Sequence, residues 1–205
     1  MDQSSRDFDP LKLLDAARNG DVRAVSEVME QYRPYLAMLA RLRTGDHLQA
    51  RYDDSDLVQE TLIQVQRGLQ QFQGRTEAEF TAWLRRIMAS VSGKQVRHHL
   101  RQRRDATLEQ QLENDYSESA QLMGNALIAL DASPSESVMR RERAVILSQA
   151  LSQLPSAYRD ALVINRLEGQ TIAQTAERMG RSVDSVQKLL ARGIVELRQK
   201  LEGFL

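Results

Sequence analysis

The chain has 205 residues, 41% hydrophobic and 27% charged, which suits two small domains better than one large core. It contains no Cys, so disulfides and thiolate metal sites are excluded. No apolar run approaches the roughly 20 residues that span a bilayer, and the first residues, Met1 to Asp9, are polar and acidic. We therefore expect a cytoplasmic protein with no signal peptide and no membrane insertion.

Charge is balanced overall, with 28 basic and 28 acidic residues, but it is unevenly distributed along the chain. Seven Lys or Arg and no acid fall between Arg85 and Arg104, whereas five acids and no Lys or Arg fall between Asp105 and Glu118. A net charge of zero can therefore hide a local positive field that holds a phosphate backbone. The alternative is a solvated helix face followed by a solvated acidic linker.

The first block of the chain, residues 10–104, shows a series of amphipathic helical patterns. Leu11 to Met29 and Tyr32 to Leu42 predict two helices, the second opening around Pro34. Residues 53–56 read Asp-Asp-Ser-Asp and supply capping acceptors and negative charge to the start of a third helix. Its apolar stripe is formed by Leu57, Val58, Leu62, Val65 and Leu69.

A fourth helix is predicted after a loop at Gln73 to Thr76. Its apolar residues recur at helical spacing and are Phe80, Trp83, Leu84, Ile87, Met88 and Val91. Because Trp83 belongs to this stripe, we assign it to the hydrophobic core rather than to base stacking.

The rest of the chain divides at a Pro-containing helix start. Residues 105–132 are polar, acidic and weakly periodic, and we interpret them as a flexible linker with some helix around Leu122 to Leu130. Ser133-Pro134-Ser135-Glu136 then opens a third block, residues 133–205. With no strand pattern in the chain, the expected fold is all-α, with two small helical domains, residues 10–104 and 133–205, joined by a linker.

A helix-turn-helix between Thr171 and Leu197 is the strongest local motif. Thr171 and Gln174 form a capping box that starts its first helix. Steeply crossing helices need a small residue at the crossing, a turn residue tolerant of positive φ and an apolar residue that packs back. Ala176, Gly180 and Val186 meet these needs in that order. The expected buried residues are Ile172, Ala173, Ala176 and Met179 in the first helix and Val183, Val186, Leu189, Leu190, Ile194 and Leu197 in the second.

In such a motif the second helix lies in the major groove, with its N-terminal residues toward the base edges. The outward residues that would contact DNA here are Arg181, Ser182, Asp184, Ser185, Gln187, Lys188, Ala191 and Arg192. Ser and Gln side chains read base edges, and Arg and Lys bind guanine or phosphate. The alternative is a helical hairpin with no role in DNA binding.

Four stretches of the chain match known motifs in order. Asp56 to Leu62 resembles D-L-V-Q-E-T-F, and Phe72 to Arg75 with Phe80 to Ile87 resembles a loop followed by an F-x-x-W-L-x-R-I helix. Leu154 to Arg159 resembles L-P-x-x-x-R, and Gly180 to Gln187 resembles G-x-S-x-x-T-V-K. Together these stretches resemble the small two-domain sigma factors of the extracytoplasmic-function type.

The resemblance implies a bacterial sigma factor that binds core RNA polymerase, recognises −35 and −10 promoter elements and promotes promoter melting. In this family the D-L-V-Q-E helix docks on the clamp coiled coil of the largest polymerase subunit, and the flap of the second subunit is a further contact. The docking face here would be formed by Asp56, Gln59, Glu60 and Ile63. The alternative for this face is plain exposure to solvent.

The resemblance also implies that the fourth helix and the loop before it hold the −10 element. Melting without ATP requires the unpaired strand to bind better than the duplex, through a basic groove and a pocket for an extruded base. The expected residues are Phe72, Gln73, Gly74, Arg75, Ser90, Lys94, Arg97, His98 and Arg101. Ser90 stands where many relatives have Asn, so the promoter preference is expected to differ. Because His98 and His99 are adjacent, they point apart on a helix, and we expect no metal or cofactor.

Two other functions stay open on the sequence. A stand-alone helix-turn-helix regulator would leave the D-L-V-Q-E and F-x-x-W-L helices unexplained, and co-purification with core polymerase would separate it from a sigma factor. A helical adaptor protein would bind no promoter DNA. We find neither a Ser/His/Asp constellation nor a phosphate-binding Gly loop in the sequence, so we do not expect an enzyme. An anti-sigma factor is a further candidate partner that the resemblance allows.

Overall fold

The computed structural model describes residues 10–42, 53–100, 106–128 and 139–202, and the elements in these ranges are helical, which confirms the predicted all-α fold class. The helices are α1 (Pro10–Arg18), α2 (Val22–Leu42), α3 (Asp54–Gly68), α4 (Glu77–Leu100), α5 (Ala106–Ile128), α6 (Met139–Ser152), α7 (Ser156–Leu162), α8 (Ile172–Met179) and α9 (Val183–Glu202). A 3-10 turn, Leu69–Gln71, follows α3, and a π-helical turn, Val163–Leu167, follows α7. Within the described ranges, no helix has the length and hydropathy needed to span a bilayer.

The chain divides into two compact units. Unit 1 comprises Met1–Ala37 and Gly45–Asn114, and unit 2 comprises Met38–Thr44 and Asp115–Leu205. Two helical bodies agree with the predicted fold class, whereas the domain limits given above stay predictions.

The first two helices break at Gly20. Gly20 has a φ of +91°, and the carboxylate of Asp21 caps α2 by accepting a hydrogen bond from the backbone N–H of Arg23 at 2.8 Å. A positive φ suits Gly and stops a helix. The predicted helix from Leu11 to Met29 is therefore wrong as a single element, and Pro34, expected near a helix start, lies inside α2.

The core of unit 1 forms where α3 packs against α4. The apolar side chains of these two helices that are at most 1% exposed are Leu57, Val65, Phe80, Leu84 and Met88. Burying an apolar side chain of this size stabilises a fold by about 1.5–3 kcal/mol. The two apolar stripes predicted for these helices therefore face the interior, and this packing fixes the orientation of the outer face of α3 and of the loop between the helices.

Residues 106–128, most of the segment interpreted as a flexible linker, form a helix, α5. Its buried hydrophobic residues are Leu112, Tyr116, Ala120, Met123 and Leu127. They follow one another at intervals of three or four residues, which places them on one helical face. The acidic residues occupy other positions of the same helix, so an acidic composition did not prevent helix formation.

Unit 2 positions the helix-turn-helix through a break at Pro155 and a close helix crossing at Gly193. The predicted start signal from Ser133 to Glu136 lies outside the described residues. The carbonyl of Pro155 accepts a hydrogen bond from the N–H of Tyr158 at 3.0 Å at the start of α7. A Cβ on Gly193 would lie 3.2 Å from Cδ1 of Leu162 and 3.3 Å from Cβ of Tyr158, so the absence of a side chain lets α9 approach α7 closely.

Candidate nucleic-acid interface

The caps and the turn predicted for the helix-turn-helix are present. The N–H of Gln174 donates to Oγ1 of Thr171 at 3.2 Å, and the N–H of Thr171 donates to Oε1 of Gln174 at 2.9 Å, which completes the capping box. Gly180 has a φ of +61° and forms the turn. Oγ of Ser182 accepts a hydrogen bond from the N–H of Ser185 at 3.2 Å, so Ser182 caps α9 as predicted. Because each cap contributes about 1 kcal/mol, local chemistry fixes where both helices begin.

The buried face of the motif differs from the prediction at its edges. Ala176 is 3% exposed and Val186 is fully buried, as the crossing of α8 and α9 requires. Ala173 is exposed instead of buried, and Val183 is 47% exposed. Thr175 is buried in place of Ala173. Its hydroxyl donates a hydrogen bond to the backbone carbonyl of Thr171 at 2.8 Å, so the buried hydroxyl has a hydrogen-bond partner.

The residues predicted to contact DNA lie on the outward face of α9 and just before its start. The exposed members are Arg181, Ser182, Asp184, Gln187, Lys188, Ala191 and Arg192, and Ser185 is half-buried. Nζ of Lys188 lies 2.7 Å from Oδ2 of Asp184, one turn earlier on the helix. Because both side chains are largely solvated, this ion pair is weak, and a phosphate can replace the carboxylate as the partner of Lys188.

The acidic helix α3 also presents a free face. Its N-terminus is capped by Asp53, whose carboxylate accepts a hydrogen bond from the N–H of Ser55 at 2.8 Å. The buried residues of the helix are Leu57, Val58, Thr61, Leu62 and Val65. On its other side Asp56 and Gln59 are exposed and Glu60 and Ile63 are half-buried. The four residues predicted to dock on polymerase therefore lie on the solvent side of a helix whose opposite side is anchored in the core.

An aromatic cluster supports the loop that follows α3. The ring centroids of Phe72 and Trp83 lie 5.0 Å apart, and those of Phe72 and Phe80 lie 5.4 Å apart. Phe72 is only 8% exposed, so its ring supports the loop and is not free to contact DNA, which corrects the prediction for this residue. Trp83 is half-buried and packs against this cluster, so its predicted place in the core is correct only in part.

The loop backbone is fixed between this cluster and the start of α4. A Cβ on Gly74 would lie 2.2 Å from Cζ of Phe72, so the backbone rests directly on the ring. Oε2 of Glu79 accepts hydrogen bonds from the N–H groups of Arg75 at 2.7 Å and Thr76 at 3.1 Å, and the Arg75 bond, ahead of those from Thr76, lowers the pKa of Glu79. The exposed side chains of the loop are those of Gln73, Arg75 and Thr76. Sequence reasoning missed Glu79, although Thr76 and Glu79 have the spacing of a capping box.

The basic run contributes less to the surface than its composition suggested. Arg85 is 3% exposed, and its Nη1 donates to Oη of Tyr35 at 2.8 Å, so this residue belongs to the core. Nε of Arg86 lies 3.2 Å from Oε1 of Glu113. Ser90 is half-buried and Lys94 is exposed. The side chains of Arg97, His98 and Arg101 lie outside the described residues.

Comparisons with known proteins identify two regions of one family in the chain. The family model for Sigma-70 region 2 matches residues 28–105, and that for Sigma-70 region 4 matches residues 144–197. The chain is 29% identical over 175 residues to the ECF RNA polymerase sigma factor SigE of Mycolicibacterium smegmatis, covering 85% of this chain and 60% of that protein. It is 27% identical over 196 residues to SigM of Mycobacterium tuberculosis, covering 95% of this chain and 85% of that protein.

Among solved structures, CnrH in complex with the cytosolic domain of CnrY is similar at 23% identity, with 95% of this chain and 98% of that chain covered and a TM-score of 0.34. The two family models match in chain order and together cover more than half of the sequence. The chain therefore belongs to the sigma-70 family and is a transcription initiation factor of the extracytoplasmic-function sigma type.

Proposed function

We propose that this sigma factor uses α3 to bind core RNA polymerase, the loop and helix after α3 to bind the −10 element, and α9 to bind the −35 element. The observation that carries the proposal is that α3 and α9 each bury one face in a core and expose a polar face of the predicted composition. Each helix can therefore bind a partner without unfolding its own unit. The clamp coiled coil of the largest subunit is the partner for α3, and the flap of the second subunit is a further contact.

At the −35 element, α9 enters the major groove with its first turns against the bases. Gln187 is exposed and offers an amide that pairs with adenine, and Arg181 and Arg192 are exposed and offer guanidinium groups to guanine or phosphate. The complete caps at Thr171 and Ser182 support this role, because they fix the starts of α8 and α9 before DNA binds.

At the −10 element, the exposed residues Gln73 and Arg75 bind an extruded base, with Ser90 and Lys94 further along α4. The proposed groove continues through Arg97, His98 and Arg101. Binding the unpaired strand more tightly than the duplex lets the free energy of binding open the promoter without ATP.

We further assign the protein to the cytoplasm and give it no catalytic activity, because family members serve initiation at RNA polymerase. An anti-sigma factor is a candidate partner at the same exposed faces. A stand-alone regulator would use α9 but has no use for the anchored polar face of α3, and a helical adaptor has no use for the capped, exposed start of α9.

Two pairs of substitutions test whether α9 binds promoter DNA and α3 binds core polymerase. Gln187→Ala with Lys188→Ala should lower promoter-specific run-off transcription about tenfold or more and leave core affinity unchanged, because the lost base contact of Gln187 costs about 1–3 kcal/mol and the lost phosphate contact of Lys188 weakens binding further. Gln59→Ala with Glu60→Ala should weaken core binding and leave binding of the −35 duplex unchanged. Gln199→Ala on α9 and Gln66→Ala on α3 are matched controls, since both residues are exposed on the same helices and lie C-terminal to the proposed contact residues.

The template is found by transcribing genomic DNA with core enzyme and the purified protein and mapping the start sites. Transcription unaffected by both pairs of substitutions would contradict the site assignment. Absence of any association with core enzyme would contradict the proposal as a whole.

A further inference from the structure

Helix α1 precedes the stretch that matches region 2, yet one of its residues contacts the proposed −10 loop. Nη1 of Arg18 donates a hydrogen bond to the backbone carbonyl of Gly74 at 3.0 Å. The guanidinium carbon of Arg18 also lies 5.8 Å from the centroid of the Phe72 ring, within the range of a cation–π contact. The two contacts join residues that are more than 50 positions apart in the sequence.

Arg18 is suited to hold this loop in place. Its side chain is only 26% exposed, so water competes weakly for its hydrogen bond to Gly74. A charged donor to a carbonyl is about twice as strong as a neutral one. The guanidinium also lies 3.5 Å from Oδ1 of Asp15, whose side chain is 71% exposed, so this ion pair contributes little.

The loop is therefore held from two sides. Arg18 binds the carbonyl of Gly74, and Glu79 binds the N–H groups of Arg75 and Thr76. Between these attachments, the side chains of Gln73 and Arg75 are exposed on a fixed backbone. A fixed backbone lowers the entropy that the loop loses when a base binds to it.

We propose that Arg18 is a positioning residue for −10 recognition, which holds the loop so that Gln73 and Arg75 meet the unpaired strand in one geometry. The proposal rests on the assignment of this loop to the −10 element. It makes α1 a part of the promoter-melting apparatus, although α1 itself need not touch DNA.

Three variants separate positioning from a general effect on folding. Arg18→Met keeps an unbranched apolar stem and removes the donors and the charge, and Arg18→Lys keeps the charge and one donor group. Arg33→Met is the matched control, because Arg33 also forms an exposed i,i+3 ion pair, with Glu30 at 3.5 Å. The affinity of the polymerase–sigma complex for a fluorescent single strand carrying the mapped −10 sequence is measured with each variant, together with core affinity, −35 duplex binding and the thermal midpoint.

We expect Arg18→Met to lose about tenfold in affinity for the single strand, as is typical for a lost charge-assisted hydrogen bond that orders a loop. It should also discriminate less between bases at the extruded position, and Arg18→Lys should restore part of both properties. Core affinity and −35 binding should not change, and Arg33→Met should behave as the unsubstituted protein. A purely structural role predicts a lower thermal midpoint with the base preference intact.

Single-strand affinity and base preference that stay unchanged in Arg18→Met would overturn the proposal. Gln73→Ala and Arg75→Ala, measured in the same assay, distinguish this failure from a failure of the loop assignment. If these two variants alter base preference and Arg18→Met does not, only the positioning role is wrong. If none of the three alters it, the loop assignment is wrong and the proposal for Arg18 is overturned with it.

Discussion

Replacing Gly74 by Ala tests whether the loop before α4 has one fixed conformation. The added Cβ would lie 2.2 Å from Cζ and 2.8 Å from Cε2 of Phe72 and 3.0 Å from Cβ of Glu79, all shorter than the roughly 3.5 Å of a favourable carbon contact. The Phe72 ring cannot swing away freely, because it packs on Phe80 and Trp83. The ring or the loop must therefore move, and overpacking of this kind lowers the free energy of unfolding by about 1–3 kcal/mol.

Trp83 provides the assay, since it is the only Trp in the chain and its ring centroid lies 5.0 Å from that of Phe72. We expect Gly74→Ala to shift the emission of Trp83 and to lower the urea midpoint of the transition that this emission follows. Gly169→Ala is the control, because its φ of +70° strains an Ala but no atom lies within 4 Å of the added Cβ. If Gly74→Ala leaves both emission and midpoint at their original values, the close approach of this backbone to the ring is refuted.

Three further changes test other parts of the fold. Val186→Ala should lower the free energy of unfolding of unit 2 by about 2–3 kcal/mol in denaturant titrations, because two buried methyl groups are lost and a cavity remains. Thr171→Ala should lower it by about 1 kcal/mol, and Thr171→Ser should not, because Ser keeps the capping oxygen. Glu79 has a folded pKa below its ordinary value of 4.5, so its stabilising effect is present above that value and is lost as pH falls through the folded pKa. Thermal midpoints of Glu79→Gln should therefore fall less steeply than those of the original chain between about pH 5 and pH 3; parallel curves would contradict the role of Glu79.

The features that the sequence predicted correctly are those decided by near neighbours. The capping box joins Thr171 and Gln174, and the second cap joins Ser182 and Ser185, so each depends on residues three positions apart. Gly180 adopts its positive φ because one turn requires it. Local patterns of this kind also predicted which faces of α3 and α4 are buried, because an apolar stripe lies on one side of a helix and that side packs against the core.

The features that the sequence did not predict depend on contacts between residues far apart in the chain, or lie in a segment whose overall composition suggested a different structure. The burial of Phe72 depends on Trp83 and Phe80, and the contact between Arg18 and Gly74 joins two elements with no shared motif. Helix α5 was predicted only around Leu122 to Leu130 for another reason: its apolar residues recur at helical intervals, but its acidic composition is typical of a linker. Periodicity was the better guide there, because solvated acids and a buried stripe coexist on one helix.

The basic run shows why counting charges overstates an interface. Arg85 lies in the core with Tyr35, and Arg86 pairs with Glu113, whose side chain is only 29% exposed, so neither adds an unpaired charge to the surface. Lys94 is exposed, and its charge is available to a phosphate. Each phosphate contact changes the slope of log affinity against log salt by about 0.9. Lys94→Ala should therefore reduce that slope for promoter binding by about one, whereas Arg86→Ala should leave it nearly unchanged, and equal effects of the two would mean that Glu113 does not neutralise Arg86.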